Sequence, residues 1–371
     1  MDSGATSFPT NATAKIIHSH SHGMNCINVN LVTVVTVTYG NRKALLEQMI
    51  SACIDNGIYQ YVIVDNGVSW AVNSFEQQFP ECKFVIVRLE ANKGPAVGYY
   101  MGIRTALEIS ANLIWLLDDD LCPESGCLEE LIKNYNSLIG NDKEKILSVL
   151  ATRPSYLACI NPTSRNNKTP LNISHSLFFG FSITQLPERF ISIGKRFFLK
   201  DYKAAHYLNV NRNQLKAISI DVAPYGGLLF AASNIDKIGL PDQDFILYVD
   251  DYEFSHRFKT EGDGIYLIPN ARLRDIDPRV QESKKKRSGL FDWLYNDSFR
   301  VFYAARNLSY FERRLSSNSF LYLLNKSFYL LVLLILAIRF RRFTRYLLIL
   351  DAVRQGARGC LGYDVKHSLP K

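Results

Sequence analysis

Short apolar runs typical of buried strands alternate with helical segments through the first third of the chain. Val32 to Val37 is a β-branched run, which favours a strand covered on both faces. The next segment, Lys43 to Asn56, carries apolar residues at helical spacing. Three further strand-like stretches follow, YQYVIVDNG, KFVIVRLE and NLIWLLDDD, with the helical segment GPAVGYYMGIRTALEIS before the last. This alternation predicts an α/β fold with a parallel sheet and helices on both faces.

The second half of the chain is less regular. Residues 151–219 show only weak strand character. Strand-like residues resume in DVAPYGGLLFAAS, FILYV predicts a short strand before a helix, and GIYLIPNARLRDID predicts the last strand.

Polar residues stand at the ends of four predicted strands. In open α/β sheets, ligands bind beyond the carboxyl ends of the strands. We therefore expect a binding site where these four ends converge: Thr38-Tyr39, Asp65-Asn66, the ANKG stretch and Asp118 to Asp120.

Three consecutive aspartates, Asp118 to Asp120, follow an apolar strand. Residues two apart in a strand share a face, so Asp118 and Asp120 are expected on one face and Asp119 on the other, unless the strand turns. Two carboxylates on one face can bind a hard cation that bridges phosphate oxygens, which favours Mg²⁺ or Mn²⁺ over zinc. A solvated strand end, or Asp120 capping a turn near Pro123, is the other reading.

A second acidic pair, Asp250-Asp251, precedes a predicted helix. One of these carboxylates can accept a proton from a hydroxyl group, and capping of the helix is the simpler alternative. Gly226-Gly227 lets the backbone approach a ligand closely, or forms a tight bend.

Composition and missing motifs narrow the function. The net charge of +8 favours anionic partners. Walker A, G-x-G-x-x-G and G-x-S-x-G motifs are absent from the sequence, which disfavours P-loop enzymes, dinucleotide folds and serine hydrolases. RNA-recognition signatures are also absent, so we expect no nucleic acid partner.

The two ends of the chain differ from its middle. Residues 1–29 are polar, lack the apolar centre of a signal peptide and are expected to be a disordered leader. Residues 320–338 are apolar and precede RFRRFTR. The uninterrupted part, Phe328 to Ile338, is shorter than the roughly 20 residues of a membrane span. We expect an in-plane, membrane-contacting helix; a true span or a helix packed on the core are the alternatives.

The order of the motifs resembles that of the inverting family 2 glycosyltransferases with the GT-A fold. The resemblance is carried by VTVTYGNR, VIVDNG, NKGPAVGYYMGIR, LLDDD, GGLLF, IGLPDQDFILYVDDYEFSHR and IPNARLRD. It is strongest to bacterial galactofuranosyltransferases and rhamnosyltransferases. It implies a Rossmann-like central sheet with helices on both faces in a catalytic domain over 30–280, with a nucleotide-binding half (30–120) and an acceptor half (121–280). Residues 281–371 would form a helical, membrane-associating C-terminal region.

The resemblance also implies roles for individual residues. Relatives often have a metal-binding histidine after the last strand, where this sequence has Asp275. The implied roles are Thr38, Tyr39 and Asp65 at the nucleobase; Asn92, Lys93 and Gly94 near the nucleotide; Asp118 at the ribose and the metal; Asp120 and Asp275 as metal ligands; Asp251, or Asp250 as second choice, as catalytic base; and Gly226, Gly227 and Asp119 at the acceptor and donor sugars.

The implied activity is transfer of a sugar from a nucleotide-sugar donor, with Mn²⁺ or Mg²⁺, to a hydroxyl of a lipid-linked glycan in bacterial cell-surface polysaccharide (O-antigen or capsule) synthesis. The favoured donor is UDP-galactofuranose, with dTDP-rhamnose as the alternative. The expected location is cytoplasmic, peripheral on the inner face of the cytoplasmic membrane, with the oligomeric state left open. A sugar-1-phosphate nucleotidyltransferase would need a longer glycine-rich loop than TYGNRK. A binding protein with an inactive transferase fold would not need both acidic pairs.

Overall fold

The structure is a computed structural model that describes residues 32–142, 144–157, 171–172, 177–179, 181, 183, 216–278 and 290–370. The predicted leader lies outside the described residues. The strands are β1 (Val32–Gly40), β2 (Gln60–Val68), β3 (Lys83–Leu89), β4 (Leu113–Leu116), β5 (Leu121–Pro123), β6 (Leu147–Thr152), β7 (Ile218–Ile220), β8 (Leu228–Ala231) and β9 (Gly264–Asp275). The helices are α1 (Lys43–Ile54), α2 (Ser74–Gln78), α3 (Pro95–Glu108), α4 (Cys127–Ile139), α5 (Pro154–Leu157), α6 (Ile235–Ile238), α7 (Asp250–Thr260), α8 (Leu290–Tyr295), α9 (Ser298–Leu315), α10 (Ser319–Arg339) and α11 (Phe343–Arg358).

The sheet has the order β3-β2-β1-β4-β8-β6-β9-β5, and β7 pairs with β9. The first four strands are parallel, as predicted. The whole sheet is mixed, because β8 runs antiparallel between β4 and β6, and β5 runs antiparallel to β9. A short, fully buried strand is apolar whichever way it runs, so its residues do not reveal its direction.

Alternate residues of β1 face two separate cores. Val32 and Val34 pack with α1 and α4 on one face of the sheet. Val35 and Val37 pack with α3 and α7 on the other. The predicted α/β fold with helices on both faces is therefore confirmed, and both faces of the sheet are closed to water. The open edge is at the carboxyl ends of the strands.

The C-terminal helices form a third core on the side of the domain. Buried residues of α9, α10 and α11 pack together with Phe178 and Phe181. Among the described residues, α10 is the one helix long and apolar enough to cross a membrane, with 28% of its most apolar window buried. Its buried side includes Asn325, whose side chain accepts a hydrogen bond from the Ile183 backbone at 2.9 Å. One face of α10 therefore packs against the rest of the protein.

The short strand predicted in FILYV is absent from this described segment, and that prediction is wrong. Residues 243–245 form a 3₁₀ turn, and Ile246, Tyr248 and Val249 have positive φ angles of 65°, 68° and 69°. Such backbone is costly for residues with a side chain and is retained only where the surroundings impose it.

Candidate active site

A cavity of about 330 Å³ opens at the carboxyl ends of β1, β2 and β4. The predicted convergence of strand ends is thus present in the structure. Six predicted site residues line the cavity: Tyr39, Asn92, Gly94, Asp118, Asp119 and Asp120. The other predicted residues are not part of its lining: Thr38, Asp65, Lys93, Gly226, Gly227, Asp250, Asp251 and Asp275.

The three aspartates sit in a turn and not in the strand. Strand β4 ends at Leu116, and the Leu121 backbone N–H donates to the Asp118 carbonyl at 3.1 Å. The strand turns before the aspartates, which is the exception that the prediction allowed, and Asp118, Asp119 and Asp120 all line the same cavity. The capping role considered for Asp120 is not seen in this segment, since β5 follows at once and α4 begins at Cys127 after Gly126.

Arg42 holds three carboxylates at the base of the cavity. Its guanidinium lies 2.8 Å from an oxygen of Asp119, 2.7 Å from Asp120 and 3.0 Å from Asp277. The Thr38 hydroxyl donates to Asp119 at 2.7 Å, so Thr38 supports the cavity wall from behind. Sequence reasoning missed Arg42 and Asp277. Arg42 stands within TYGNR and Asp277 within RDID, but neither motif shows that they meet.

The burial of this network changes the acidity of its members. Asp119 is 3% exposed. Burial raises the pKa of Asp119 to about 6, although the Arg42 guanidinium and the Thr38 hydroxyl act in the opposite direction. Burial also raises the pKa of Asp120, and the nearby charge of Asp118 adds to that rise. Asp118 and Asp120 therefore lie close enough to feel each other's charge.

A second arginine, Arg153, connects the acidic turn with the last strand. It donates to Asp118 at 3.2 Å and to the Gly226 carbonyl at 3.0 Å, and lies 3.8 Å from Asp275. A Cβ atom on Gly226 would overlap the Asp118 carboxylate. Gly226 is thus required for the contact between Asp118 and Arg153, and Gly227 has a φ of 108° that favours glycine.

The second acidic pair begins helix α7. Burial, followed by the charge of Asp251, raises the pKa of Asp250 well above its usual value. Burial also raises the pKa of Asp251 to about 7, with a further contribution from the charge of Asp118. The two acidic clusters, distant in sequence, are therefore neighbours in space. Of these two carboxylates, Asp251 has the pKa that suits a general base at neutral pH.

The loop before Asp250 is fixed by two residues of α9. The Asn307 side-chain amide donates to the carbonyls of Phe245, Leu247 and Tyr248 at 2.8, 2.9 and 2.9 Å. Arg306 donates to the carbonyls of Asp244 and Phe245 at 3.1 and 3.3 Å. These contacts hold the left-handed backbone that delivers Asp250 and Asp251 to the site.

The ends of β2 and β3 form the other wall. Asp65 accepts hydrogen bonds from the backbone N–H groups of Gly67 and Val68 at 3.2 and 2.9 Å, so its carboxylate shapes the turn. Asn66, which lines the cavity, accepts from the Lys93 backbone N–H at 2.8 Å and donates to the Gly94 carbonyl at 3.2 Å. The side chains of Asp65 and Lys93 do not contribute to the lining of the cavity.

The C-terminal region also contributes to the cavity, which the sequence did not predict. Phe299 and Arg300 at the start of α9 line it, as do Leu369 and Pro370. The Asn92 side chain donates to the Pro370 carbonyl at 3.3 Å. Residues 290–370 therefore help to build the site in addition to any contact with a membrane.

The carboxylates of the acidic turn fit a hard cation by their chemistry. Asp118 and Asp120 offer oxygen ligands close to each other, and Mg²⁺ is commonly held by one or two carboxylates together with substrate phosphates. Among the described residues there is no group of three or more His, Cys, Asp or Glu side chains arranged around a common point. Pairing of Leu121 with Asp275 brings the predicted third ligand beside the turn, where its carboxylate lies near Arg153.

The fold and the site define an α/β domain with an acidic cavity at the carboxyl edge of its sheet. Residues 33–194 match the sequence model of the family described as Glycosyl transferase family 2. The matched segment spans less than half of the 371 residues. No curated protein matches the chain significantly.

Several solved structures resemble the chain in overall shape. S. aureus TarS is 12% identical, with 77% of this chain and 44% of that chain covered and a TM-score of 0.39. TarS 1-349 in complex with UDP-GlcNAc is 10% identical over 88% of this chain and 81% of that chain, with a TM-score of 0.48. GalNAc-T7 with UDP, GalNAc and Mn²⁺ is 12% identical over 65% and 42% of the two chains, with a TM-score of 0.41. This chain spans less than half the length of the first TarS structure, and likenesses this distant assign no ligand to it.

Proposed function

We infer that the chain is an inverting glycosyltransferase that moves a sugar from a nucleotide-sugar donor to a hydroxyl group of an acceptor. The observation that carries this inference is the meeting of two acidic clusters at one edge of the sheet. The charge of Asp118 in the acidic turn acts on Asp251 at the start of α7. The family 2 match over residues 33–194 supports the same class of reaction.

Asp251 is assigned as the general base. In the reaction, an acceptor hydroxyl attacks the anomeric carbon, its proton passes to Asp251, and the bond to the diphosphate breaks. A single displacement of this kind inverts the anomeric configuration. Asp250 is buried and its raised pKa favours the neutral form. A neutral Asp250 adds no second negative charge beside the base, which leaves Asp251 as the proton acceptor.

Cationic side chains meet the anionic donor. Arg300 lines the cavity, and Arg42 lies at its base. Asp118 and Asp120 would hold a Mg²⁺ or Mn²⁺ ion, which supplies Lewis-acid stabilisation of the diphosphate leaving group. In the structure, Arg42 lies against Asp120 and Arg153 lies against Asp118. These two arginines hold the carboxylates in place and offset part of their negative charge.

The donor and the acceptor follow from the motif resemblance. UDP-galactofuranose is the first candidate donor and dTDP-rhamnose the second, and the acceptor is a lipid-linked glycan of O-antigen or capsule synthesis. The C-terminal helices support an acceptor at a membrane. Along α10, Phe320, Leu323, Leu331, Ile335 and Ile338 are more than half exposed and recur at helical spacing.

An in-plane position at the inner face of the cytoplasmic membrane is consistent with this arrangement. One side of α10 is packed on the protein, and its exposed side is apolar. Exposed arginines follow at positions 339, 341 and 342 and can meet anionic headgroups, each contributing about 1 kcal/mol.

The test is a panel of nucleotide sugars incubated with the full chain, Mn²⁺ or Mg²⁺, and membrane lipid extracts or glycoside acceptors. Transfer of the sugar with release of nucleoside diphosphate supports the proposal. Exchange of pyrophosphate into the nucleotide sugar would identify a nucleotidyltransferase instead. Binding without either reaction would identify an inactive transferase fold.

A further inference from the structure

A second, smaller cavity lies beside the first, between α8, α9 and the loop that precedes the base. Its volume is about 160 Å³, and its lining includes Tyr248, Asp292, Trp293, Asn296 and Arg300. Arg300 lines both cavities, so the two are immediate neighbours. The guanidinium of Arg300 donates to the Tyr248 hydroxyl at 2.7 Å, which ties the shared arginine to the wall of the second cavity.

The lining combines aromatic and polar side chains. Tyr248 and Trp293 supply ring surface, while Asp292, Asn296 and Arg300 supply a carboxylate, an amide and a guanidinium. A sugar unit presents C–H groups on its faces and hydroxyl groups at its edge. Aromatic rings pack against the first kind of surface, and the polar groups pair with the second. The combination does not favour a lipid chain, which offers no partner for the polar groups.

The ring surface of this cavity is held rigidly. The Trp293 ring stacks on Phe179 with centroids 4.5 Å apart. Tyr248 has a φ of 68°, and its carbonyl is held by the buried side chain of Asn307. A strained backbone that is fixed from outside is typical of functional sites. Tyr248 also stands two residues before Asp250, so a ligand that contacts it lies near the end of the helix that carries the base.

From these observations we propose that the second cavity binds a sugar unit of the acceptor glycan, next to the unit that reacts. The proposal rests on the proposed function for the identity of its ligand. It predicts that acceptors of two or more sugar units bind better than single sugars. It also predicts that the second cavity affects the acceptor and not the nucleotide sugar.

The experiment compares two variants with a matched control. Asn296→Ala removes a polar partner, and Ala304→Leu adds a side chain that fills the cavity. Asn73→Ala makes the same chemical change as the first variant at an exposed position outside both cavities. The probes are methyl galactoside, methyl rhamnoside and the disaccharide and trisaccharide of each, titrated into the full chain and followed by tryptophan fluorescence. The KM values for acceptor and donor are measured in parallel.

The expected result is saturable binding of the longer probes to the natural chain, weakened about fivefold or more in both cavity variants and unchanged in Asn73→Ala. The KM for the donor stays unchanged in all three. Failure of every probe to bind, equal binding by the variants, or an equal rise in the KM for the donor would overturn the proposal. Carbohydrate binding that depends on the cavity, without turnover of any nucleotide sugar, would overturn the proposed function and leave the sugar site standing.

Discussion

Replacement of Asn307 tests whether α9 fixes the loop that carries the base. Asn307 is fully buried, and its amide contacts three consecutive parts of the loop through the carbonyls of Phe245, Leu247 and Tyr248. In Asn307→Leu the number and branching of the side-chain heavy atoms are kept, but the donors are lost. Phe245 retains a donor in Arg306, whereas the bonds to Leu247 and Tyr248 are lost at partly buried positions. Counting about 1–1.5 kcal/mol for each of the two bonds that are not replaced, we expect the free energy of unfolding to fall by about 2–3 kcal/mol.

The assay is urea denaturation followed by tryptophan fluorescence, with steady-state kinetics on the same samples. Asn141→Leu, at an exposed turn position, is the control and should change stability by no more than about 0.5 kcal/mol. Asn307→Asp keeps the shape of the side chain but places a carboxylate oxygen, which is an acceptor, against three carbonyl oxygens. It should therefore lower the free energy of unfolding at least as much as Asn307→Leu. If Asn307→Asp is tolerated, or if Asn307→Leu costs no more than the control, the amide does not hold the loop.

Four further predictions concern the site and the C-terminal helices. Asp251→Asn and Asp120→Ala should each lower turnover by at least about 100-fold with an unchanged circular dichroism spectrum; a near-normal rate in either variant contradicts the role assigned to that residue. Asp251 must be ionised to accept a proton, and burial raises its pKa to about 7. We therefore expect kcat/KM to increase as the pH rises through about 7. A value of kcat/KM that is constant from pH 5 to 8 would argue against Asp251 as the base. Removal of divalent cations with EDTA should abolish transfer, and Mn²⁺ or Mg²⁺ should restore it; full activity in EDTA would show that the arginines suffice. The combined change of Leu331, Ile335 and Ile338 to serine should reduce flotation with vesicles of anionic phospholipid. The control Tyr59→Ser, at an exposed position, should float as the natural chain does. Equal flotation of both variants would exclude this face of α10 as the membrane contact.

Substitution is the better test of membrane contact because of how the C-terminal region is built. A truncation before α10 would remove part of the third core and also Leu369 and Pro370, which line the first cavity. Loss of membrane binding after such a truncation would therefore be mixed with damage to the site. The three substituted residues are exposed, so their replacement leaves the packing of the helices intact.

The arginine network shows what tertiary structure adds to a site that sequence can locate. The acidic turn and the strand ends around it were visible in the chain, because apolar strands followed by polar residues leave a local pattern. The partner of each carboxylate was not visible. Arg42 and Asp277 are 235 positions apart and meet because β1 and β9 end at the same edge of the sheet. Pairings over such distances leave no mark in the local sequence.

The loop before the base shows a local preference that tertiary contacts override. FILYV has the composition of a strand, and its prediction as one was wrong for that reason. Asn307 and Arg306, which lie on a helix some sixty positions later in the chain, supply the hydrogen bonds that a strand would have found in the sheet. The left-handed backbone at Ile246, Tyr248 and Val249 follows from those contacts.

By itself the sequence determined the first four strands, helices α1 and α3 and the acidic cluster that follows β4, because apolar strands, amphipathic helices and polar strand ends each leave a pattern in neighbouring residues. The tertiary structure decided the antiparallel direction of β8, the common orientation of Asp118 to Asp120, the arginine partners of the carboxylates and the contribution of α9 to both cavities. These features depend on which distant segments come together, and that choice rests on packing and charge compensation that appear only once the chain is folded.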